Sequence, residues 1–356
     1  MDAPRAIVEV AGVDVRWHDL ISLRFEDTLY LAADSFEAEF RNDHLLSDWF
    51  RKKQEVRIYL GYVKDPESWS KSELHHVFTG MIDGIKPKFG SSMTVQLIGR
   101  DYSAPLIDTE YSIAYASQTA SQIAGILAAK YGLKPIITPT TVVVNKELVT
   151  DKKEWEVLQA LADQEGFVAY VTKNKELYFG PRQEKDETIV ATLYYRVPEK
   201  ANCEIEFDDS TVGVINKVTV RHWLGGKNKR LIEASAVNQQ VLDAMGGQVK
   251  EKIIYESKAK TVELAKYYAE KRLKELSRMV ITGSGSCPGN PLMVTEKRVQ
   301  VAEGCGRFNG IYYIEKAEHE FSKTSGYVTR FDITSLRPDS AEQYRQDLYD
   351  YKEKKY

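Results

Sequence analysis

Cysteine is scarce in this sequence, with only Cys203, Cys287 and Cys305 among 356 residues. An odd and widely spaced set excludes the disulfide framework that staples small secreted folds. A zinc site built from Cys287, Cys305 and His319 would need ligand spacings of 18 and 14 residues, which match no zinc pattern. The cysteines are therefore expected to be small buried fillers. Long hydrophobic runs are absent too. No stretch approaches the roughly 20 apolar residues of a membrane helix, and the opening Met1-Asp2-Ala3-Pro4-Arg5 lacks the apolar core of a secretory signal. The expectation is a product assembled in the cytoplasm without membrane insertion. Charge of one sign is lacking as well: 49 basic and 52 acidic residues leave a net charge of -3. That supplies no field to hold a nucleic-acid backbone, so specific nucleic-acid binding is not expected.

Motifs that carry chemistry are also missing. The stretch Gly283-Ser284-Gly285-Ser286-Cys287-Pro288-Gly289 has no following lysine and no final glycine, so it is neither a phosphate loop nor a dinucleotide fingerprint. Its serines lack the flanking glycines of a nucleophile elbow. It reads as a strand-edge loop, and Gly304-Cys305-Gly306-Arg307-Phe308-Asn309-Gly310 reads as a hairpin turn. Asp208-Asp209, Asp163 with Glu165, and Glu204 with Glu206 are the nearest candidates for a glycosidase pair, but none stands out from 52 acids. His75 and His76 would point to opposite faces of a strand. His319 lies between Glu318 and Glu320 in mid-strand, where a lone histidine is usually packed or solvated. No catalytic residue, cofactor site or metal site is expected, and the chain is not read as an enzyme.

What is present is strand grammar. From Ala6 to Arg100 the pattern is mostly of period two, as in Ile21-Ser22-Leu23-Arg24-Phe25 and Phe36-Glu37-Ala38-Glu39-Phe40, which gives each strand one buried and one wet face. A short helix over Asp43–Phe50 interrupts it, and Asp65–Lys71 reads as a polar hairpin loop. Between about Ser103 and Lys200 helical spacing takes over. Thr119 with Gln122 forms a capping box ahead of Ile123, Leu127 and Tyr131. Asp151 with Glu154 is expected to cap a second helix bearing Trp155, Leu158 and Ala162, closed by Gly166. Two strands around Lys173-Asn174-Lys175 complete a small α/β unit. From Cys203 to Pro338 strands return, with a long helix from about Lys258 to Arg278 whose Val262, Ala265, Ala269, Leu273 and Leu276 line one face.

Two segments look alike. Phe78-Thr79-Gly80-Met81-Ile82 leads through Phe89 into a returning strand, and Phe308-Asn309-Gly310-Ile311-Tyr312 leads through Phe321 into another. Gly80 and Gly310 open the two hairpins, and Phe89 and Phe321 precede the two turns. The duplication points to two related barrels. The expected architecture is mainly β: a tube-like antiparallel barrel over 1–103, an α/β domain over 104–200, a second tube-like barrel with one long helix over 201–338, and a helical tail over 339–356. In that tail Asp339 and Glu342 form a capping box, and Tyr344, Leu348 and Tyr351 recur at helical spacing as a candidate partner-docking stripe.

Ala33–Phe40, Val56–Tyr62 and Val77–Asp83, then Trp155–Ala162, Gly166-Phe167 and Leu177–Pro181, then Gly289-Asn290-Pro291, Val299–Val301, Phe308–Ile314, His319 and Gly326–Thr329 follow one another over most of the chain. Together they resemble the phage late control protein D family, which is also similar to the N-terminal part of type VI secretion spike proteins. The resemblance implies a structural baseplate hub subunit of a contractile phage tail or phage-tail-like particle. In it a homotrimer contributes six barrels to a ring joining a sixfold tail tube to a threefold spike. The partners implied are the tail spike protein, a tail tube or tube-initiator protein, other baseplate subunits and the tape measure protein. No spike β-helix or lysozyme-like segment follows near Tyr356, so spike and hydrolase are expected on separate chains. Two other readings fit the composition: a tail-associated peptidoglycan hydrolase, and a monomeric β-rich binding module.

Overall fold

The computed structural model describes residues 3–28, 32–110, 118–141, 152–181, 183, 188–196, 200–210, 213–225, 230–257, 259–277, 280–302 and 306–335. The stripe Tyr344, Leu348 and Tyr351, the Asp339–Glu342 box, Asp151 and Cys305 lie outside them. By contact density the chain divides into two compact units, Met1–Glu206 with Gly283–Tyr356, and Phe207–Thr282.

In the first unit the N-terminal hundred residues form β1 (Ala3–Val10), β2 (Val13–Asp14), β3 (Leu20–Thr28), β4 (Ser35–Arg41), β5 (Glu55–Val63), β6 (His75–Lys88) and β7 (Thr94–Asp101), with the single-turn helix α1 (Leu46–Trp49) after β4. Helices α2 (Ala104–Asp108) and α3 (Ala120–Lys130), strand β8 (Lys134–Ile137), helix α4 (Glu154–Glu165) and strands β9 (Phe167–Val171) and β10 (Glu176–Pro181) follow. Next come β11 (Ile189–Leu193) and β12 (Glu204–Asp208). The second unit then holds β13 (Lys217–Leu224), β14 (Arg230–Val237), α5 (Gln239–Ala244), β15 (Glu251–Tyr255) and α6 (Val262–Leu276). The chain returns through β16 (Thr282–Pro288), β17 (Arg298–Val301), β18 (Gly310–Ser322) and β19 (Gly326–Thr334).

The protein is mostly strand. Among the described residues one large sheet runs in the order β12-β16-β19-β18-β3-β4-β7-β6-β5-β1-β2, with β17 on β18 and β11 on β17. The ladder β18–β3 therefore joins strands from the two ends of the sequence, with His319 opposite Phe25 and Glu318 opposite Glu26. The alternation places Leu23, Phe25, Phe36, Ala38, Phe40, Val95 and Leu97 in one core with Ala6, Val8, Val56, Ile58 and Leu60. Full burial of the Val, Leu, Ile and Phe side chains among them contributes roughly 1.5–3 kcal/mol each.

This sheet curls. Tyr62 on β5 and Tyr327 on β19 are six ladders apart, about 29 Å in a flat sheet, yet their ring centroids stand 5.9 Å apart. Phe25 on β3 and Phe78 on β6 likewise meet at 6.4 Å.

The middle region packs α3 and α4 on the small sheet β8-β10-β9. Thr119 and Gln122 cap α3 as their spacing predicts. The second helix is capped differently. Lys153 is the N-cap residue, its backbone N–H donates to the Glu156 carboxylate at 2.9 Å, and Glu154 is the first helical residue. Glu154 is almost fully buried and takes hydrogen bonds from Lys130 Nζ (2.6 Å) and the Tyr131 hydroxyl. A carboxylate inside a core must be paired, and these two donors from the end of α3 tie the helices together. Glu154→Ala should lower the stability of the chain by about 1–2 kcal/mol, read as a shifted urea midpoint. The turn Lys173-Asn174-Lys175 holds this region to the large sheet. Lys175 Nζ reaches Glu55 at 2.6 Å above the Tyr102 ring, and Lys173 Nζ donates to the His76 carbonyl at 2.8 Å.

One expectation for the C-terminal third is corrected. Thr282–Pro288 is a strand between β12 and β19 and not an edge loop. Its small residues permit this: a Cβ on Gly285 would stand 2.2 Å from the Glu204 carbonyl oxygen. The long helix also has a partner of its own. Ala265, Ala269 and Leu273 pack on Val218, Val220 and Ile232 of the three-stranded sheet β14-β13-β15, inside the second unit. Val262 stays exposed at the first turn.

Candidate functional site

The seam between β18 and β3 gathers the polar residues that the strand pattern left unexplained. His319 is fully buried, with its ring stacked on Phe25 at 4.4 Å and 1°. Its Nε2 lies 2.9 Å from the Met293 carbonyl, which can only accept, so Nε2 carries the proton. Nδ1 is then an acceptor, and the Tyr327 hydroxyl donates to it at 2.7 Å. Burial pushes the imidazole pKa down to about 4 and the Tyr327 hydroxyl upward, so His319 is neutral. Thr329 Oγ1 stands 3.3 Å from Nδ1 and accepts the Asn290 N–H at 2.9 Å. Asn290 Nδ2 donates to the Val190 carbonyl of β11. The loop of Gly289-Asn290-Pro291 is thus tied to β18, β19 and β11 through residues far apart in the sequence.

A second latch lies one turn along the same loop. The Thr295 N–H and hydroxyl both donate to the Asp27 carboxylate at 2.9 Å. Asp34 accepts the Thr28 N–H at 2.8 Å, and Asp101 accepts the Ser103 hydroxyl at 2.6 Å. Burial raises the pKa of all three carboxyls, that of Asp101 to about 6.

The opposite face of the seam is wet and laddered with charge. Arg24 donates to Glu318 at 2.6 Å, Lys316 meets Glu26 at 3.0 Å, Arg330 meets Glu320 at 3.1 Å and Arg100 meets Asp83 at 2.8 Å. Pairs whose cation remains open to solvent, as these do, contribute modestly to stability. They do keep a broad sheet face polar. Glu204 and Glu206 of β12 flank a groove on this face with Ser284, Ser286, Glu318 and Asp332.

The other residues singled out by the sequence scatter. Asp163 and Glu165 sit at the end of α4, and Asp208 is exposed on β12. His75 is exposed, whereas His76 Nε2 bonds Thr79 Oγ1 at 2.8 Å. Cys287 is buried against Met293, its thiol pushed up to about 12 by burial, and Cys203 is only half-buried. Among the described residues no group of three or more His, Cys, Asp or Glu could hold a metal ion.

Both predicted hairpins form, as β6–β7 and β18–β19, and each hairpin ladder carries one register shift, at Ile82/Gly84 and at Ile314/Lys316. Gly80 and Gly310 are not equivalent, however. Gly80 lies inside β6, where a Cβ would meet the Arg100 carbonyl oxygen at 2.3 Å, while Gly310 opens β18, where a Cβ would make only ordinary contact with the Tyr312 ring at 3.7 Å. Phe321 is buried beside Trp17, whereas Phe89 lies beyond the last ladder pair, Lys88–Thr94, and is 60% exposed. The Asp27–Thr295 latch had no local signal at all.

Residues 41–323 match the family described as the Alg8 N-terminal domain. The chain belongs to that family. No curated protein sequence matches this Alg8 N-terminal domain family member. Its fold is similar to that of the tail protein from Neisseria meningitidis MC58, at 16% identity and a TM-score of 0.69 over 95% of this chain and 99% of that one. The 43 kDa tail protein of prophage MuSo2 from Shewanella oneidensis is similar at 16% identity and a TM-score of 0.67, with the same coverage. An Escherichia coli component of the type VI secretion system, described as similar to T4 bacteriophage tail proteins gp27 and gp5, aligns at 12% identity and a TM-score of 0.53 over 92% of this chain and 76% of that one. At these identities the likeness is one of fold, and the fold of this family member is that of phage tail proteins. No helix among the described residues is long and apolar enough to cross a membrane.

Proposed function

We propose that this chain is a structural baseplate hub subunit of a contractile phage tail or phage-tail-like particle, related to the late control protein D family. The observation that carries this reading is the end-to-end fold match to proteins named as tail proteins, 95% of this chain against 99% of theirs. The two bulged hairpins, β6–β7 and β18–β19, at separate places in the large sheet support its division into two barrels, 1–103 and the strands within 201–338, flanking the α/β region 104–200. Three copies would then present six barrels to a sixfold tail tube and a threefold face to the spike. Neighbours on this reading are the spike, a tube or tube-initiator protein, other baseplate subunits and the tape measure protein. The tail 339–356 would dock on one of them through Tyr344, Leu348 and Tyr351, whose spacing in the sequence is helical.

Cryo-electron microscopy of the native particle tests the hub reading. Three copies per tail at the end of the tube are expected; one or six copies would overturn it. Truncation after Pro338 should leave the thermal midpoint within about 2 °C while lowering incorporation into particles. Normal particle yield would remove the docking role from the tail.

A further inference from the structure

Among the described residues the unit Phe207–Thr282 has two layers, and each outer surface carries exposed apolar side chains. Helix α6 covers one face of the sheet β14-β13-β15 through Ala265, Ala269 and Leu273. On the other face Trp223 stands opposite Leu231, and Tyr255 and Ile253 follow on β15. These four are 61%, 40%, 68% and 44% exposed, and Val237 at the far corner is 48% exposed. With the aromatic rings carrying most of it, the uncovered apolar surface is on the order of 500 Å², near the upper limit for the largest patch on a monomer. The charges between these residues are spent on one another, Arg221 on Glu233 and Lys217 on Glu251. What this face leaves unsatisfied is therefore apolar.

The outer surface of α6 has the matching chemistry. Leu264 and Tyr267 point away from the sheet and are 41% and 58% exposed, with Lys271 and Lys274 continuing the same stripe. Leu264 to Lys274 spans about 15 Å of helix, and Trp223 to Lys217 about 20 Å of strand. The helix surface runs from an apolar end to a charged one, and the sheet face has its aromatic residues at the Trp223 end with Val237 beside the Lys217–Glu251 pair at the other. Stacking the helix of one copy on the sheet of the next covers both surfaces of every inner unit, and a standard interface takes about 800 Å² from each partner, which this patch with its polar rim approaches. Because the two surfaces differ and lie on opposite layers, the contact is head-to-tail, the kind that closes into a ring when the rotation allows.

We propose that Phe207–Thr282 is a self-association module, in which the Trp223, Leu231 and Tyr255 face of one copy receives Leu264 and Tyr267 of a second copy of this chain. This rests on the reading of the protein as a ring-forming hub and names the surfaces that would form the ring. The test uses the full chain and two variants, Trp223→Glu with Tyr255→Glu on the sheet and Leu264→Glu with Tyr267→Glu on the helix. All four positions are exposed, so each variant should keep the far-ultraviolet spectrum and thermal midpoint of the parent. Sedimentation velocity should show the parent as a closed oligomer and each variant alone as a monomer, with association weakened about 30-fold or more. An equal mixture of the two variants should give a dimer that grows no further, because one intact sheet face and one intact helix face remain. Variants that assemble like the parent would overturn the inference while leaving the hub trimer standing. A mixture that stays monomeric would overturn the head-to-tail pairing. A parent that stays monomeric at all concentrations would overturn the inference, whereas three copies per native particle would still uphold the hub.

Discussion

Replacing His319 with alanine should destabilise the chain by about 3–5 kcal/mol, the cost of a cavity in the core combined with two stranded polar groups. The Met293 carbonyl and the Tyr327 hydroxyl each lose a buried partner, and Phe25 loses the ring stacked on it. A urea titration measures this directly, and a loss under 1 kcal/mol would show that the seam does not depend on the imidazole. His319→Phe keeps the stacked ring and isolates the titration. In the folded chain His319 takes up a proton only near pH 4, against about 6.5 when unfolded. The unfolded chain therefore binds more protons in between, and the His319 contribution is lost as pH falls from about 6.5 to 4, by up to ~3 kcal/mol. Asp101 acts in the opposite sense. Its folded pKa is raised from 3.8 to about 6, so its contribution is complete below about pH 4 and is lost as pH rises through 6. Relative to the parent, His319→Phe should lose less stability between pH 7 and 4.5, and Asp101→Asn should lose more.

Gly99→Ala should be at least as damaging, about 3 kcal/mol or more, with most of the protein recovered insoluble at 37 °C. A Cβ there would stand 2.0 Å from the Met81 carbonyl oxygen and 2.5 Å from the Phe36 ring. The first of these is backbone in the bulged ladder β6–β7, which cannot move without breaking the register that leads to the seam. Gly84→Ala is the control. Its Cβ would meet only the side chain of Ile98, which can turn aside, and it should lose under about 1 kcal/mol. Equal losses at the two positions would show that close backbone approach is not what selects glycine at 99.

Much of this was legible locally. Alternation in Leu23-Arg24-Phe25-Glu26 and Phe36-Glu37-Ala38-Glu39-Phe40 determines which side of each strand is buried, because successive side chains point to opposite faces whatever the neighbour is. The Thr119–Gln122 box is a contact within one helical turn, so its spacing suffices to locate it. The same logic misplaced the cap of α4, where Lys153 and Glu156 serve and Glu154 turns inward to Lys130 and Tyr131.

Only the tertiary structure decided which strands are neighbours. Period two says that β3 and β18 each have an apolar face. It does not say that Arg24 will meet Glu318 across 294 residues, or that His319 will lie on Phe25. Loop-closure entropy rises only slowly with chain length, so a distant strand competes with a near one on almost equal terms, and shape and packing settle the choice. The Asp27–Thr295 latch and the separate core under α6 follow from that choice. Sequence alone determined most of the strands and turns and the cap of α3, since their energies are local; the cap of α4, the strand Thr282–Pro288, the seam and the separate core under α6 exist only once the side chains are buried together.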